Sequence, residues 1–498
     1  MSAESVWSLD PRTGERRGDA PVAVAAGPAA VDAAVRAAHA ALPALADRAR
    51  RSALLRAAAA QLQARSESLI AAADAETGLG TVRLTGELAR TVFQLRYFAD
   101  LVDRAADAGG FLDIRTDTAD PGLTPPRPDL YRVQLPLGVV GVFAASNFPF
   151  AFSVPGGDTA SALAAGCPVV VKAHPDHPET SELVAAALRA AAVGTGLPEG
   201  VIGLVHGFAA GPELVRHPLL SGVGFTGSSR GGRALFDLAV TRPRPIPFHG
   251  ELGSVNPVLV TPAALAESAA APEQLAAGLV GSFTLGMGQF CTKPGLVLLP
   301  AGPAGDACAK AVADATAQVP AGVLLDERMR EAFLDGFAAR AALSEVQTLA
   351  PAGAAGTAEA PLAVRAGVLS VPAEAALHGS HEQLLEECFG PTTVLVRYAD
   401  AVEAVAVLGR MEGCLTATLH TTADDPDAPA WLGTLAAFAG RVLFGGWPTG
   451  VAVADAMQHG GPYPAATSSG TSVGGAAVQR WLRPVAFQSL PAQLHPQA

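Results

Sequence analysis

The sequence predicts an α/β protein that contains two doubly wound parallel sheets. Short apolar runs of β-type residues begin near residue 139, and helical patterns separate them. A second set of such runs follows Glu251. Strands and helices that alternate at this spacing are typical of parallel sheets with helices on both faces. The chain has 498 residues, of which 50% are hydrophobic and 16% charged, so it can bury a large core and is long enough for about three domains.

The individual elements follow in chain order. Residues 25–105 are predicted to be helical, because apolar residues recur there at steps of three and four. The segment 111–136 is rich in Pro, Asp and Thr, with β-branched and aromatic residues at its ends, which predicts a projecting hairpin. The predicted strands are VVGVFA (139–144), PVVVKA (168–173), VIGLVH (201–206), VGFTG (223–227), NPVLV (256–260), GLVLLP (295–300), TTVLVRY (392–398), LTATLH (415–420) and GRVLFGG (440–446).

Charge and cysteine content exclude several classes of function. Lys and Arg number 34 against 46 Asp and Glu, a net charge of −12, and no basic block is present, so we expect neither nucleic acid nor a membrane as partner. The uncharged stretch 133–157 contains prolines and polar residues, and the uncharged stretch 274–292 contains glycines and polar residues, so we interpret both as buried core. Five cysteines, an odd number, and an N-terminus without an apolar signal segment predict a cytoplasmic protein with free thiols.

Five features could carry chemistry, although each has a structural alternative. Cys291 follows a Gly-rich segment and could be a nucleophile, whereas most free cysteines are buried as small hydrophobes. Glu251 could be a general base or a carboxylate bonded to backbone amides. Asn147 could donate to an oxyanion or stabilise a turn. The turn GFTGSSRGG (224–232) could bind phosphate at a helix N-terminus, and Lys172 ends a predicted strand where parallel sheets bind ligands.

Other residues do not suggest a metal site. The histidine pairs in HPDH (174–177) and HGSH (378–381) are three residues apart, but Pro175 excludes the first pair from a helix. No cysteine pair has the spacing of a zinc site. We therefore predict no bound metal.

The five features, taken together and in this order, resemble the aldehyde dehydrogenase superfamily. The resemblance covers nearly the whole chain and is carried by SNFPF, VVVKAHP, GFTGSSRGG, ELGSVNP, GQFCT and ECFGP. Within that superfamily, KAHPDHPETSELV, GMGQFCTKPGLV, HGGPYP and TSVGGAAVQRWLRPVAFQSLP are similar to the α-ketoglutaric semialdehyde (2,5-dioxopentanoate) dehydrogenase branch. The loop PAATSSG (464–470) is less typical and could affect the substrate entrance or subunit contacts.

The resemblance implies a role for each catalytic position. Cys291 attacks the aldehyde carbon, and the Asn147 amide and the Cys291 backbone N–H hold the oxyanion. Hydride transfer to a nicotinamide leaves a thioester, which water activated by Glu251 hydrolyses to the acid. The implied cofactor-binding positions are Lys172, Pro175, Gly227, Ser228, Arg230, Glu387 and Phe389.

Two of these positions bear on the choice of cofactor. Relatives that prefer NAD often have a Glu three residues after the lysine, and this chain has Pro175 there. The absence of a carboxylate removes its repulsion of a 2′-phosphate. Arg230 could pair with that phosphate or stack on adenine, or it could be a solvated arginine at a helix start. We expect NADP to be preferred, with NAD possible.

The substrate side of the site is also suggested by the resemblance. Arg90 falls on a helix that lines the substrate tunnel in relatives, where it could bind a substrate carboxylate; the alternative is a surface salt bridge. Phe148, Phe152 and Phe290 are expected to form the tunnel wall, with ordinary core packing as the alternative for at least one of them.

The resemblance further implies a three-part organisation. Residues 1–110 and 137–250 form the dinucleotide-binding domain, 251–455 the catalytic domain, and the hairpin 111–136 with the tail 478–498 an oligomerisation flap. A homodimer or homotetramer is therefore expected. The expected reaction is NADP-dependent oxidation of 2,5-dioxopentanoate to 2-oxoglutarate. The alternatives are a broad-specificity fatty or aromatic aldehyde dehydrogenase, a CoA-acylating enzyme, which Glu251 disfavours, and an inactive structural relative.

Overall fold

The protein is seen in a computed structural model that describes residues 4–496. Its helices are α1 (Pro28–Ala41), α2 (Arg48–Ala64), α3 (Ser66–Thr77), α4 (Thr81–Asp103), α5 (Gly157–Ala165), α6 (Pro178–Gly194), α7 (Ala210–Arg216), α8 (Ser229–Thr241), α9 (Pro262–Ala266), α10 (Ala271–Thr284), α11 (Pro303–Ala317), α12 (Glu327–Ala341), α13 (Ala373–Ala376), α14 (Ala401–Leu408) and α15 (Ala428–Ala436).

The strands fall into three larger sheets and two short pairs. They are β1 (Ser5–Val6), β2 (Ala23–Val24), β3 (Arg115–Asp117), β4 (Leu130–Pro136), β5 (Val139–Phe143), β6 (Val169–Lys172), β7 (Ile202–Val205), β8 (Leu220–Thr226), β9 (Phe248–Glu251), β10 (Val258–Val260), β11 (Leu296–Pro300), β12 (Gln347–Ala350), β13 (Gly353–Ala354), β14 (Val364–Arg365), β15 (Gly367–Pro372), β16 (Thr392–Tyr398), β17 (Cys414–His420), β18 (Ala439–Phe444) and β19 (Leu482–Gln488).

The first large sheet is parallel throughout, with strand order β7-β6-β5-β8-β9. Its order reverses between β5 and β8, which is where doubly wound sheets bind ligands at the carboxyl ends of their strands. Strand β9 was not predicted, because the preceding segment TRPRPIP reads as a loop. Glu251 is therefore the last residue of an edge strand of this sheet.

The second sheet has the order β12-β15-β16-β11-β10-β17-β18. All of its pairs are parallel except β12 with β15, an antiparallel addition at one edge. The run NPVLV forms β10, which lies between β11 and β17 of this second sheet. A short apolar run contains no information about which of two similar sheets it joins.

A third, antiparallel sheet pairs β4 with β3 on one side and with β19 on the other. It brings the segment 111–136 together with the C-terminal segment, and β3 is exposed along its length. Among residues 4–496, no helix combines the length and apolarity needed to cross a membrane.

Candidate active site

The loop that bears Cys291 follows α10 and precedes β11. Three consecutive residues in it are left-handed, with φ of 55° at Gly286, 56° at Met287 and 66° at Gly288. A Cβ at Gly288 would lie 2.2 Å from the carbonyl oxygen of Gly390, so only glycine allows this approach. The close packing brings the cysteine loop against the ECFGP segment that contains Glu387.

Cys291 is partly buried and carries a proton at rest. Burial raises the pKa of its thiol to about 12, and the negative charges of Glu251 and Glu387 add to that shift. Nε2 of His459 lies 3.8 Å from the sulfur. A thiol in such surroundings becomes a strong nucleophile only when a neighbouring group accepts its proton.

Asn147 is held close to the nucleophile by two hydrogen bonds. Its Nδ2 donates to the carbonyl oxygen of Gln289 over 2.8 Å, two residues before Cys291. Nη2 of Arg83 donates to the Asn147 carbonyl oxygen over 2.6 Å. The amide has a second N–H, which leaves one donor that could hold an oxyanion.

Glu251 is positioned by the loop that the sequence marked as less typical. The Leu252 N–H donates to the carbonyl oxygen of Ala465 over 2.7 Å, and Glu251 forms an isolated bridge with Ala466. Burial raises the pKa of Glu251 well above its usual value, and the charge of Arg480 opposes this shift. Its Oε2 atom is buried and has no hydrogen-bond partner among the described residues. A protonatable carboxyl of this kind suits general acid–base chemistry.

The start of α8 is a candidate binding site for a dinucleotide. Ser228 caps this helix by accepting a hydrogen bond from the Gly231 N–H over 3.3 Å, and the Gly227 N–H donates to the Glu251 carbonyl oxygen over 3.1 Å. A Cβ at Gly253 would lie 2.6 Å from Oε2 of Glu387, so the Gly253 backbone and this carboxyl form a narrow cradle. These residues fit a dinucleotide, because the free amides of a helix start favour phosphate and the cradle allows close backbone approach.

The Glu387 carboxyl lies beside Gly253, near the start of α8, and its pKa is raised. Burial raises its pKa to about 7, and the buried ammonium of Lys293 opposes that shift. Nζ of Lys293 donates to the carbonyl oxygens of Cys388 and Thr392, at 3.0 and 2.8 Å. Phe389 is partly exposed beside them.

The sequence argument for the cofactor considered Pro175 but overlooked its neighbour. Burial lowers the pKa of Lys172 to about 8, and the negative charge of Asp176 partly opposes that shift. Asp176 lies one position beyond Pro175, and its carboxylate is buried beside His174, with Oδ2 3.3 Å from Nδ1 of that imidazole. Arg230 is exposed on the first turn of α8.

The predicted substrate side chains form one cluster. Phe148 contacts Phe152 and Phe290 edge-on, with centroid separations of 5.4 and 5.2 Å, and all three rings are partly exposed. The Arg90 guanidinium carbon lies 5.3 Å from the Phe152 ring centre, and Nε and Nη2 both donate to the Val451 carbonyl oxygen over 3.3 Å. Its Nη1 atom is buried without a partner among residues 4–496, so Arg90 is not in a surface salt bridge.

Sequence reasoning missed three side chains of this cluster. Arg83 lies one heptad before Arg90 on the same face of α4 and covers Phe148 and Phe290, at 4.9 and 4.6 Å. The seven-residue spacing of these two arginines on a predicted helix could have been recognised in the sequence. Arg441 of β18 and His459 gave no local signal, because each reaches the site only through folding.

The described residues contain no group of three or more His, Cys, Asp or Glu side chains placed to hold a metal ion. The cluster therefore offers a thiol, carboxyls, an imidazole, an amide and arginines for chemistry near the start of α8.

A doubly wound parallel sheet, with a thiol, an amide and carboxyls gathered near the carboxyl ends of its strands, is typical of a class of dinucleotide-dependent oxidoreductases. The family model described as "Aldehyde dehydrogenase family" matches residues 1–479. The chain belongs to the aldehyde dehydrogenase family, whose members use NAD or NADP.

Individual relatives support the same assignment. The chain is 49% identical over 428 residues to alpha-ketoglutaric semialdehyde dehydrogenase 2 of Azospirillum brasilense, a match that covers 85% of this chain and 79% of that protein. It is 44% identical to alpha-ketoglutaric semialdehyde dehydrogenase of Acinetobacter baylyi, over 84% of this chain and 78% of that one. The fold is similar to that of a Thermus 1-pyrroline-5-carboxylate dehydrogenase with bound NAD, with a TM-score of 0.81, 23% identity and coverage of 97% and 90%.

Proposed function

We propose that this aldehyde dehydrogenase oxidises a carboxylated aldehyde, 2,5-dioxopentanoate, to 2-oxoglutarate, and that it prefers NADP. The observation that carries the substrate proposal is Arg90, a half-buried arginine next to the aromatic cluster, whose buried Nη1 has no hydrogen-bond partner among the described residues. A buried guanidinium N–H without a hydrogen-bond acceptor is costly, and a substrate carboxylate would accept a hydrogen bond from it. The names of the two relatives at 49% and 44% identity point to the same substrate.

The proposed reaction assigns each step to a residue of the site. Cys291 loses its proton and its sulfur bonds to the aldehyde carbon, while the aldehyde oxygen becomes an oxyanion that the Asn147 amide and the Cys291 N–H hold. A fixed amide donor of this kind is typically worth about 3 kcal/mol. The nicotinamide cofactor, when bound, supplies the hydride acceptor that leaves the substrate as a thioester on Cys291. Glu251 then takes a proton from water, whose oxygen displaces the sulfur and releases the acid.

We assign cofactor binding to residues around the start of α8. The start of α8, with Gly227 and Ser228, would hold the pyrophosphate, and Lys172 and Glu387 would contact the two riboses. Phe389 would pack beside the nicotinamide. Pro175 and Arg230 support a 2′-phosphate, whereas the inward carboxylate of Asp176 opposes it.

A steady-state panel tests the reaction, the substrate and the cofactor together. We expect the highest kcat/KM for 2,5-dioxopentanoate with NADP, lower values for octanal and benzaldehyde, and no requirement for CoA.

Cys291→Ala should lower activity by at least about 10³-fold. Cys308→Ala, on α11 outside the site, is the matched control and should retain activity.

Each alternative has its own outcome in that panel. Equal kcat/KM for neutral and acidic aldehydes would indicate a broad-specificity enzyme, and reduced cofactor only with CoA would indicate an acylating one. No reduction with any aldehyde would indicate an inactive relative.

Arg230→Ala should lower the ratio of kcat/KM with NADP to kcat/KM with NAD, and Asp176→Asn should raise that ratio. The matched control Arg244→Ala, at an exposed arginine, should leave the ratio unchanged. Unchanged ratios in both the Arg230 and the Asp176 variant would contradict the NADP proposal.

A further inference from the structure

A histidine lies against the nucleophile, and the reaction as proposed above does not use it. Nε2 of His459 is 3.8 Å from Sγ of Cys291, and the residue is only 2% exposed. Among residues 4–496, no other side chain comes within hydrogen-bonding range of this sulfur. The contact joins positions 168 residues apart, at the interface of the cysteine loop and the segment that follows β18.

The backbone of His459 holds the ring without engaging its nitrogens. The His459 N–H donates to Oγ1 of Thr471 over 2.9 Å, and its carbonyl oxygen accepts from the Ser472 N–H over 2.8 Å. The Phe152 ring packs beside the imidazole, with centroids 5.9 Å apart. Nδ1 is buried and has no partner among the described residues, so no hydrogen bond on the far side dictates the tautomer. The His459 backbone is thus fixed, Nδ1 has no partner among the described residues, and Nε2 contacts the Cys291 sulfur.

Charged groups on several elements face this pair. Burial lowers the pKa of His459 to about 3, and the positive charges of Arg441, Arg90 and Arg480 add to that shift. Glu251 and Glu387 face the thiol. At neutral pH the imidazole is therefore uncharged and has a lone pair for a proton. A substrate carboxylate near Arg90 and Arg441 would offset the positive field and make His459 more basic while an acidic aldehyde is bound.

We propose that His459 is the proton acceptor for Cys291, and that Glu251 serves only the hydrolytic half of the reaction. As the S–C bond forms, the S–H bond breaks, the proton moves to Nε2, and the carbonyl electron pair moves to oxygen. During hydrolysis Glu251 takes the proton of water, the C–S bond breaks, and the sulfur takes its proton back from His459. The proposal rests on the proposed role of Cys291 as nucleophile.

Rapid mixing of enzyme, NADP and 2,5-dioxopentanoate separates the two half-reactions, because a burst of reduced cofactor reports the step before hydrolysis. We expect His459→Phe and His459→Gln each to slow the burst by about 100-fold or more, since neither side chain can take the proton. Glu251→Gln should keep the burst and lose steady-state turnover. His378→Phe, an exposed histidine, is the matched control and should behave as the unmodified protein.

The pH profile of the burst provides a second readout that a structural role would not change. With His459 present the burst rate should vary little between pH 6 and 8. In either variant it should rise about tenfold per pH unit, because only the small thiolate fraction then reacts. The glutamine variant keeps the test valid if the phenylalanine variant does not fold.

Two outcomes distinguish this inference from the proposed function. Burst rates of both variants within twofold of the unmodified protein, with a flat pH profile, would overturn the role of His459 alone. An unmodified protein that shows no burst and is not alkylated at Cys291 by iodoacetamide would overturn the proposed nucleophile itself.

Discussion

At the scale of single residues, incompletely bonded side chains converge around Cys291. Arg90 Nη1, Glu251 Oε2 and His459 Nδ1 are all buried without partners among the described residues. Leaving a buried polar group unpaired costs about 1–3 kcal/mol, more when it is charged. A bound ligand with matching polar groups would recover part of that cost.

Arg90 is expected to discriminate acidic from neutral aldehydes. Arg90→Met should raise KM for 2,5-dioxopentanoate by about 10- to 100-fold, the range of one charged hydrogen-bonded pair. KM for octanal should stay within about twofold, because a neutral chain makes no ion pair. Arg96→Met, an exposed arginine on the same helix, is the matched control. Equal increases for both aldehydes would show that Arg90 does not bind the substrate carboxylate.

Glu387 should make the empty protein less stable at higher pH. Its folded pKa is about 7 against an ordinary value of 4.5, so the folded state binds more protons and stability falls as pH rises between those values. Glu387→Gln should remove that loss, a gain of at most about 3 kcal/mol at pH 8 and none at pH 4. Urea unfolding at several pH values measures it, with the exposed Glu386→Gln as control. If the free energy of unfolding of Glu387→Gln equals that of the unmodified protein at every pH, the pKa of Glu387 is not raised on folding.

At the scale of elements, one short turn connects the site to the first sheet. The 3₁₀ turn Gly475–Trp481 places the Arg480 guanidinium on the Asp158 carboxylate of α5, with side-chain exposures of 3% and 12%. Trp481 Nε1 donates to Oγ of Ser161 over 2.8 Å, and the Arg480 carbonyl oxygen lies 3.0 Å from Nε2 of His249. The turn thereby holds α5 and β9, the strand that ends at Glu251, in a common arrangement.

Removing one partner of this buried ion pair should destabilise the protein strongly. Arg480→Leu should cost about 3–5 kcal/mol, because it leaves the Asp158 carboxylate buried and unpaired. The double variant Arg480→Leu/Asp158→Leu should recover most of that loss, since no charge then remains. Urea denaturation midpoints measure both, and Arg36→Leu, which breaks the exposed pair with Asp32, should leave the midpoint unchanged. A double variant no more stable than the single one would contradict the pairing argument.

At the scale of the whole molecule, exposed strand edges predict assembly. Strand β18 is the last strand of the seven-stranded sheet, and its Phe444 is 50% exposed. Unprotected strand edges favour pairing with another chain. The three-stranded sheet of β3, β4 and β19 leaves further exposed surface, in the segments proposed for oligomerisation.

Light scattering tests this assembly directly. The expected mass is two or four times the 50.2 kDa of one chain. Phe444→Lys should shift the population towards the monomer, because a charge on an apolar edge opposes strand pairing. Val402→Lys, which replaces a 76% exposed residue of α14, should leave the mass unchanged. A 50.2 kDa species for the unmodified protein would exclude the proposed homodimer and homotetramer.

Local patterns determined much of this protein from the sequence alone. Continuous apolar runs predicted strands that the structure contains, such as β5, β6, β16 and β17. This was possible because strands and helices differ in the spacing of apolar residues over a few positions. The ordered motifs also identified the family before any coordinates. The roles of Cys291, Glu251 and Asn147 were predicted from the same motifs and stay predictions.

Only the tertiary structure decided which distant residues meet. It buried Asp176 beside His174 and brought His459 to Cys291 across 168 residues. These outcomes depend on the packing of side chains from separate elements, and no local period or turn signal encodes them. The elements and the family could therefore be predicted from the sequence, whereas the charges and proton acceptors around the sulfur follow from the fold.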